Sequence, residues 1–130
     1  MSTRNTLPEG VVSLPAHEAH ARHVLDANAW AYFAGGAADE HTLRANPAGW
    51  EALRLHPRIL RPVAGGHTRV SLLGRSLAHP ILLAPVAYQR MAHPDGELAT
   101  ALAASAQGAG LVLSTQASLP LELVAQAVRD

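Results

Sequence analysis

Apolar residues recur at helical spacing in the first third of the chain. A single stripe between positions 16 and 33 predicts one continuous helix. Gly35-Gly36 follows it and is expected to stop it. Asp39 is a candidate cap for a short second helix, and Asn46-Pro47 resembles a cap and first helical position, which predicts a further helix through Leu53. The stripe consists of Ala21, Val24, Leu25, Ala29, Tyr32 and Phe33.

Two short apolar runs in the last third predict buried strands. Ile81–Ala84 and Leu111–Leu113 are continuous runs, as expected of strands buried on both faces. A helix is predicted between them over 94–107, with Gly108 as a left-handed C-cap and acidic residues at the positive end of its dipole. Ser118 is expected to cap a last helix from Leu119 onward. Strand, helix and strand span the length of a βαβ unit, so the fold class is α/β with parallel strands.

A small hairpin is predicted before the first of these strands. Residues 68–73 and 76–77 have strand character and flank Gly74-Arg75. We therefore divide the chain into an irregular lead-in at 1–15, a helical and hairpin cover at 16–80, and two βα units at 81–130.

Composition excludes several classes of function. Ten basic residues balance ten acidic ones, so the formal net charge is zero and no basic excess is present for nucleic acid. The absence of Cys excludes disulfides, thiolate metal sites and a Cys nucleophile. No apolar run approaches the roughly 18 residues of a membrane span. We therefore expect a soluble cytoplasmic protein.

Two parallel strands cannot cover both faces of a sheet or close a barrel. The sequence is thus expected to be the opening of a larger α/β fold whose exposed apolar strands make the isolated chain prone to self-association. A fragment without turnover is the alternative from outside the enzymes.

A series of short motifs follows one another along the chain. They are 32–40 (YFAGGAADE), 42–46 (TLRAN), 55–60 (LHPRIL), 73–74 (LG), 80–85 (PILLAP), 91–97 (MAHPDGE) and 113–115 (LST). In this order and spacing they resemble the FMN-dependent 2-hydroxy-acid oxidases and dehydrogenases, a group that includes glycolate oxidase, lactate oxidase and mandelate dehydrogenase. The resemblance extends over roughly residues 20–130. Another FMN barrel, such as an isopentenyl-diphosphate isomerase, is an alternative against which the 32–40 segment argues.

The resemblance implies the N-terminal part of a (β/α)8 barrel that binds FMN and assembles as a homo-oligomer of tetramer type. It implies oxidation of a small L-2-hydroxy acid to the 2-oxo acid, with hydride transfer to flavin N5. The catalytic base, the Arg pair that holds the substrate carboxylate and the phosphate-binding loops belong to later strands in the family. No catalytic residue is therefore assigned between Met1 and Asp130, and the chain alone is expected to be inactive.

The resemblance also implies roles for individual residues. Tyr32 would bind the substrate carboxylate; alternatively it only anchors its helix. Pro85, Val86 and Ala87 would lay backbone against the flavin ring, with an ordinary βα loop as the alternative. Ser114 would bond the polar edge of the ring, or else satisfy local backbone.

Two departures from the family pattern affect the expected site. Val86 stands where Thr is frequent, and Gln116 where some members carry an aromatic residue. The first removes a side-chain hydroxyl beside the flavin, and the second leaves the substrate's size open.

The histidines do not predict a metal site. His17, His20 and His23 spread over too wide a helical arc to converge on one ion. His93 resembles a general base in a motif segment, but we expect it to help start the following helix instead.

Overall fold

The computed structural model describes residues 9–128, and these form two compact units, Met1–Pro57 and Arg58–Asp130. Residues 1–8 of the predicted lead-in, and the last two residues of the second βα unit, lie outside the described residues. The predicted domain boundaries at 15 and 80 stay predictions. Each unit is described by itself.

Two helices replace the single helix predicted over 16–33. Helix α1 spans Leu14–Val24 and helix α2 spans Ala27–Ala34. The break lies at Leu25 and Asp26, which both have extended backbone. The Asp26 carboxylate accepts the Ala29 N–H at 2.9 Å and so caps α2. A side chain that competes with the helix for backbone N–H groups overrides the continuous apolar stripe.

The helix expected to start at Pro47, after an Asn46 cap, begins six residues earlier. Helix α3 spans His41–Ala52 and contains Pro47 in its interior. Its first turn starts at Glu40, whose carbonyl accepts the Arg44 N–H. Asp39 does not cap it. The Glu40 side chain instead reaches back to the N–H of Gly36 at 3.0 Å, which closes the turn between the helices.

The predicted hairpin is confirmed, with its turn one residue earlier. Strand β1 (Val70–Leu72) pairs antiparallel with β2 (Arg75–Leu77), so the two-residue loop is Leu73-Gly74. Both loop residues have positive φ, 50° and 75°. This is the geometry of a type I′ turn, which matches the twist of the flanking strands.

The predicted βαβ unit is also confirmed. Strand β3 (Leu82–Leu83) is parallel to β4 (Gly110–Leu111), and helix α4 (Gly96–Ala106) connects them. A short 3₁₀ turn occupies Gln89–Met91, and helix α5 spans Leu121–Ala127.

Helix α4 ends as Gly108 predicts. Gly108 has a φ of 66°, its N–H donates to the Ser105 carbonyl, and the Ala109 N–H donates to the Ala104 carbonyl. These two bonds form a Schellman motif. The chain therefore turns sharply at Gly108 and enters β4 alongside β3.

Ser118 is not the cap of the last helix, which corrects the prediction. Helix α5 begins three residues later, after Pro120 in extended conformation. The Ser118 hydroxyl accepts a hydrogen bond from the N–H of Arg90 at 3.1 Å. The Ser118 hydroxyl oxygen, which the local pattern predicts to cap the helix, binds the N–H of a residue distant in sequence instead.

The core of the second unit is small and is formed by helices α4 and α5, strand β4 and the segment between β4 and α5. Ala101, Leu119 and Val124 are buried in it, and Leu98, Leu111 and Leu113 pack against them. The strands themselves are not covered on both faces, contrary to the expectation from their sequence. Leu82 of β3 is 38% exposed, and Ile81 and Val112, which flank the two strands, are 59% and 47% exposed. Within residues 9–128 no helix has the length and hydropathy to cross a membrane.

Candidate functional site

Two loops meet at the carboxyl ends of the parallel strands. The β3–α4 loop (residues 84–95) and the β4–α5 loop (residues 112–120) emerge from the same edge, because β3 and β4 run in the same direction. The Tyr88 N–H donates to the Gln116 carbonyl at 3.0 Å. Together with the Arg90–Ser118 bond, this contact joins the loops directly. Ligand sites of open and closed parallel sheets lie at this edge.

The Glu97 side chain binds the backbone of both loops. It is fully buried in the first turn of α4, and its Oε1 accepts the Ser118 N–H at 2.8 Å and the Gln89 N–H at 3.2 Å. One carboxylate oxygen therefore binds one N–H from each loop. Its Oε2 is buried and has no hydrogen-bond partner within the described part of the chain.

The environment of Glu97 stabilises its charged form. Burial by itself would raise the pKa of this carboxyl, but the N–H donors, chiefly Ser118 and also Gln89, outweigh it and hold the pKa below the ordinary value of 4.5. Glu97 is thus an anion that binds the two loops across the neutral pH range.

Gln89 extends this network to the tip of the β3–α4 loop. The Thr100 hydroxyl on α4 donates to Gln89 Oε1 at 2.5 Å. The Gln89 side-chain NH₂ donates to the Val86 carbonyl over a longer distance of 3.4 Å. A chain of contacts therefore connects helix α4 to the backbone of Val86.

Pro85, Val86 and Ala87 form the part of this loop that follows β3 directly. Within residues 9–128 the N–H groups of Val86 and Ala87 have no hydrogen-bond acceptor, and the Val86 side chain is 42% exposed. Free donors beside a small apolar side chain fit the edge of a planar heterocycle, which combines acceptor atoms with apolar faces. The chemistry of this segment is therefore compatible with a flavin ring.

Ser114 lies on the second loop at the same edge. Its Oγ accepts the Gln116 N–H at 3.1 Å, as the local-backbone alternative expects. That bond uses a lone pair and leaves the hydroxyl hydrogen able to donate. The loop surrounds an open depression of about 510 Å³ whose polar lining includes the hydroxyl residues Ser114, Thr115 and Ser118.

Tyr32 belongs to the other compact unit, on helix α2. Its ring contacts Phe33 edge to face at 5.3 Å between centroids. About half of the residue is exposed (47%), so its helix does not bury it. The assignment of its hydroxyl to a substrate carboxylate stays a prediction.

His93 contributes to the start of helix α4, as the sequence suggests. His93 Nδ1 accepts the N–H of Asp95 at 3.2 Å, which supports the start of helix α4. Within residues 9–128 no three His, Asp or Glu side chains form a cluster suited to a metal ion.

Sequence reasoning missed the network that joins the two loops. It assigned Glu97 only to the helix dipole and Ser118 to a cap, and it gave no role to Gln89 or Thr100. The burial of Glu97, which only the structure shows, is what reveals the network, because a carboxylate that loses water needs donors. Those donors come from residues eight and 21 positions away, which a local pattern does not reveal.

Comparison with known proteins places these features in a wider group. The sequence profile of the FMN-dependent dehydrogenase family matches residues 21–130. An L-lactate oxidase of Alicycliphilus denitrificans is 48% identical over 127 residues, and the human 2-hydroxyacid oxidase 1 is 41% identical over 117 residues. A crystal structure of mandelate oxidase superposes with a TM-score of 0.85 at 40% identity.

The similarity covers most of this chain and a minor part of its relatives. The chain is matched over 98% of its length by the lactate oxidase, 90% by the human oxidase and 89% by the mandelate oxidase structure. It spans 35%, 32% and 34% of those proteins, respectively. It thus corresponds to about a third of each of them.

Proposed function

Because the chain belongs to the FMN-dependent dehydrogenase family, we propose that it forms the N-terminal part of an enzyme that oxidises a small L-2-hydroxy acid to the 2-oxo acid. The observation that carries the proposal is the joined pair of loops at the strand ends, with free N–H groups at Val86 and Ala87. The printed names of the similar proteins, L-lactate oxidase, 2-hydroxyacid oxidase and mandelate oxidase, support the substrate class. FMN is the cofactor of the family.

The proposed architecture is a (β/α)8 barrel in which β3 and β4 are the first two of eight parallel strands. The parallel pairing of β3 with β4 supports it, as does a connection through α4 of the length expected between neighbouring barrel strands. The exposed apolar residues in and beside these strands support it as well. A barrel places its active site at the carboxyl ends of its strands, which is where the two loops meet.

Each residue of the site has a defined task in this proposal. The backbone of Pro85, Val86 and Ala87 lies against the flavin ring, and the N–H groups donate to its acceptor edge. The Ser114 hydroxyl donates to the polar edge of the same ring. When bound, FMN supplies the acceptor for the hydride that leaves the substrate α-carbon.

Tyr32 orients the substrate in this proposal. A phenol hydroxyl can donate to a carboxylate without bringing a second charge into the site. Correct orientation of the carboxylate fixes the position of the α-carbon, and this lowers the entropic part of the barrier. The proton acceptor and the Arg groups for the carboxylate are proposed to come from later strands of the barrel.

The chain taken alone is proposed to be inactive. The exposed apolar residues in and beside its strands, such as Ile81, Leu82 and Val112, favour a fragment that lacks packing partners over an independent catalyst. For the complete enzyme we propose a cytoplasmic homo-oligomer of tetramer type, as the composition and the family resemblance predict.

Reduction of the bound flavin by substrate tests the function. The full-length protein that carries this chain is reconstituted with FMN and mixed without oxygen with L-lactate, glycolate or (S)-mandelate, and with D-lactate as the matched control. Loss of the flavin's visible absorption with at least one of the first three, and not with D-lactate, is the expected result. A protein that binds no FMN, or whose FMN stays oxidised with every 2-hydroxy acid, contradicts the proposal.

A further inference from the structure

The peptide unit between Val86 and Ala87 is held on one side and free on the other. Its carbonyl, on Val86, accepts the Gln89 NH₂, whereas its N–H, on Ala87, has no acceptor within residues 9–128. A trans peptide unit is planar, so its C=O and N–H point in opposite directions. A contact that fixes the carbonyl therefore also fixes the direction in which the Ala87 N–H points.

The orientation of the Gln89 amide is determined by its two neighbours. Val86 offers a carbonyl, which can only accept, so the NH₂ of Gln89 must face it. The amide oxygen then faces Thr100, whose hydroxyl donates to it. The opposite orientation would bring two oxygens together at Val86. The Val86 carbonyl therefore selects this amide orientation, and the Thr100 hydroxyl, which can donate or accept, stabilises it by donating to the amide oxygen.

The base of the same loop is fixed by an independent contact. The buried Glu97 carboxylate accepts the N–H of Gln89, so the backbone from which this side chain extends is anchored to α4. The Ser118 N–H on the same oxygen links it to the second loop. Gln89 is therefore held through its backbone by Glu97 and through its side chain by Thr100.

We propose that Gln89, Thr100 and Glu97 are positioning residues that aim the Ala87 N–H at the flavin before FMN binds. This inference rests on the proposed function, because it requires the Pro85–Ala87 segment to contact the ring. A donor aimed in advance costs no reorganisation when the ligand arrives. Small errors in the direction of such a group weaken its contribution, which is why the supporting side chains matter.

A pair of substitutions at Thr100 separates hydrogen bonding from packing. Thr100→Val keeps the shape of the side chain and removes the donor, whereas Thr100→Ser keeps the donor and removes a methyl group. In the full-length FMN-containing protein, Thr100→Val is expected to raise the FMN dissociation constant about 3- to 10-fold, which corresponds to the net value of one hydrogen bond. It is also expected to shift the midpoint potential of the bound flavin, because an N–H beside the ring is displaced. Thr100→Ser is expected to stay close to wild type in both.

The reverse order, with Thr100→Ser worse than Thr100→Val, would show that the residue only fills space and would overturn the proposal. Gln89→Glu is a second variant that retains the side chain's length and replaces the NH₂ donor with an oxygen. It is expected to change affinity and potential in the same direction as Thr100→Val. An unchanged potential in both variants also overturns the proposal. Thr42→Val on helix α3, which is exposed, serves as the control for the general effect of the substitution.

Hydrogen exchange of the backbone amides in the FMN-free protein tests whether the loops are held in place before the cofactor binds. The Gln89 and Ser118 amides are expected to be protected in the wild type and to lose protection in Glu97→Ala. Rapid exchange of both amides in the wild type overturns the positioning network. Protected amides in a wild-type protein that does not bind FMN would instead contradict the proposed function, so the two failures are distinguishable.

Discussion

Glu97 is the residue on which the geometry of the candidate site depends most. Two loops converge on one carboxylate oxygen, and no other buried charged residue is present among residues 9–128. A carboxylate in this position replaces the water that the loop N–H groups would otherwise bind. The chain thus uses one charge to fix the relative positions of Gln89 and Ser118.

Removal of the Glu97 side chain is expected to destabilise the protein. Glu97→Ala leaves two N–H groups without an acceptor, and hydrogen bonds to a charged group contribute about 1.5–3 kcal/mol each at most. We expect a loss of about 2–4 kcal/mol in the free energy of unfolding, measured by urea denaturation of the full-length protein. Glu122→Ala is the matched control, because Glu122 occupies the first turn of α5 and is exposed. Equal losses in the two variants would contradict the role of Glu97.

Glu97 also predicts a pH dependence of stability. The folded protein holds its pKa below the ordinary value of 4.5, so the unfolded chain binds the proton more tightly. The contribution of Glu97 is therefore fully present above about pH 4.5 and is lost as the pH falls through the lower pKa of the folded state. The stability difference between wild type and Glu97→Gln should shrink as acid is added in this range. A stability difference that grows with added acid would contradict a lowered pKa of Glu97 in the folded protein.

Substitution of Tyr32 tests whether its hydroxyl binds the substrate carboxylate. Tyr32→Phe removes only the hydroxyl and keeps the ring that packs on Phe33. In the full-length enzyme we expect a higher KM and a lower turnover for the 2-hydroxy acid, with FMN retained. Steady-state kinetics and the flavin absorption spectrum measure the two effects. Loss of FMN in this variant would show that Tyr32 has a different role.

At the scale of single elements, the sequence was most informative where one residue type dictates the backbone. Gly108 ends α4 and the βαβ order follows from the apolar runs, and both are as predicted. Prediction failed where a polar side chain could choose between a local and a distant partner. Asp26 accepts a local N–H and thereby ends one helix and begins the next. Ser118 instead accepts the distant N–H of Arg90 and does not cap helix α5. Neither choice is encoded in apolar spacing.

The candidate site follows the same division. The resemblance assigned Pro85, Val86, Ala87 and Ser114 to one site, and the parallel pairing of β3 with β4 brings their loops to one edge. The contacts that hold these loops come from residues far apart in sequence, such as Gln89 and Ser118 on Glu97. Spacing along the chain cannot predict them, because they depend on the packing of α4 against β4, α5 and the 3₁₀ turn at Gln89–Met91.

The end of helix α2 offers a test of an element boundary. A Cβ atom on Gly35 would lie 2.5 Å from the Ala31 carbonyl oxygen, closer than any side chain tolerates, whereas a Cβ on Gly49 in α3 would meet nothing within 4 Å. Gly35→Ala is therefore expected to destabilise the full-length protein by roughly 1–3 kcal/mol through backbone displacement. Gly49→Ala should stabilise it by about 0.5–1 kcal/mol, because it removes a flexible residue from a helix. Thermal unfolding of both variants checks the opposite signs, and equal signs would contradict them.

At the scale of the whole molecule, apolar surface remains uncovered. An apolar groove of about 510 Å³ separates the β1–β2 hairpin from β4 and α5, with Leu72, Leu77 and Leu111 among its lining residues. Ile81 and Val112, which flank strands β3 and β4, are exposed as well. In the proposed barrel, further strands and helices cover such surfaces.

The isolated 130-residue chain is therefore expected to self-associate. Apolar faces of this kind bury themselves against a second copy when no other partner is available. Sedimentation velocity at increasing concentration should show species well above the monomer mass of 13.7 kDa. A soluble monomer with one cooperative unfolding transition would contradict the picture of an uncovered barrel segment.

The most direct test of the central claim is a crystal structure of the full-length protein with FMN bound. We expect the Ala87 nitrogen to lie within about 3 Å of an acceptor atom on the edge of the flavin ring, and the Ser114 hydroxyl to lie at the ring's polar edge. The Gln89 NH₂ should remain on the Val86 carbonyl. A flavin bound elsewhere, with the β3–α4 and β4–α5 loops in contact only with protein or water, would contradict it.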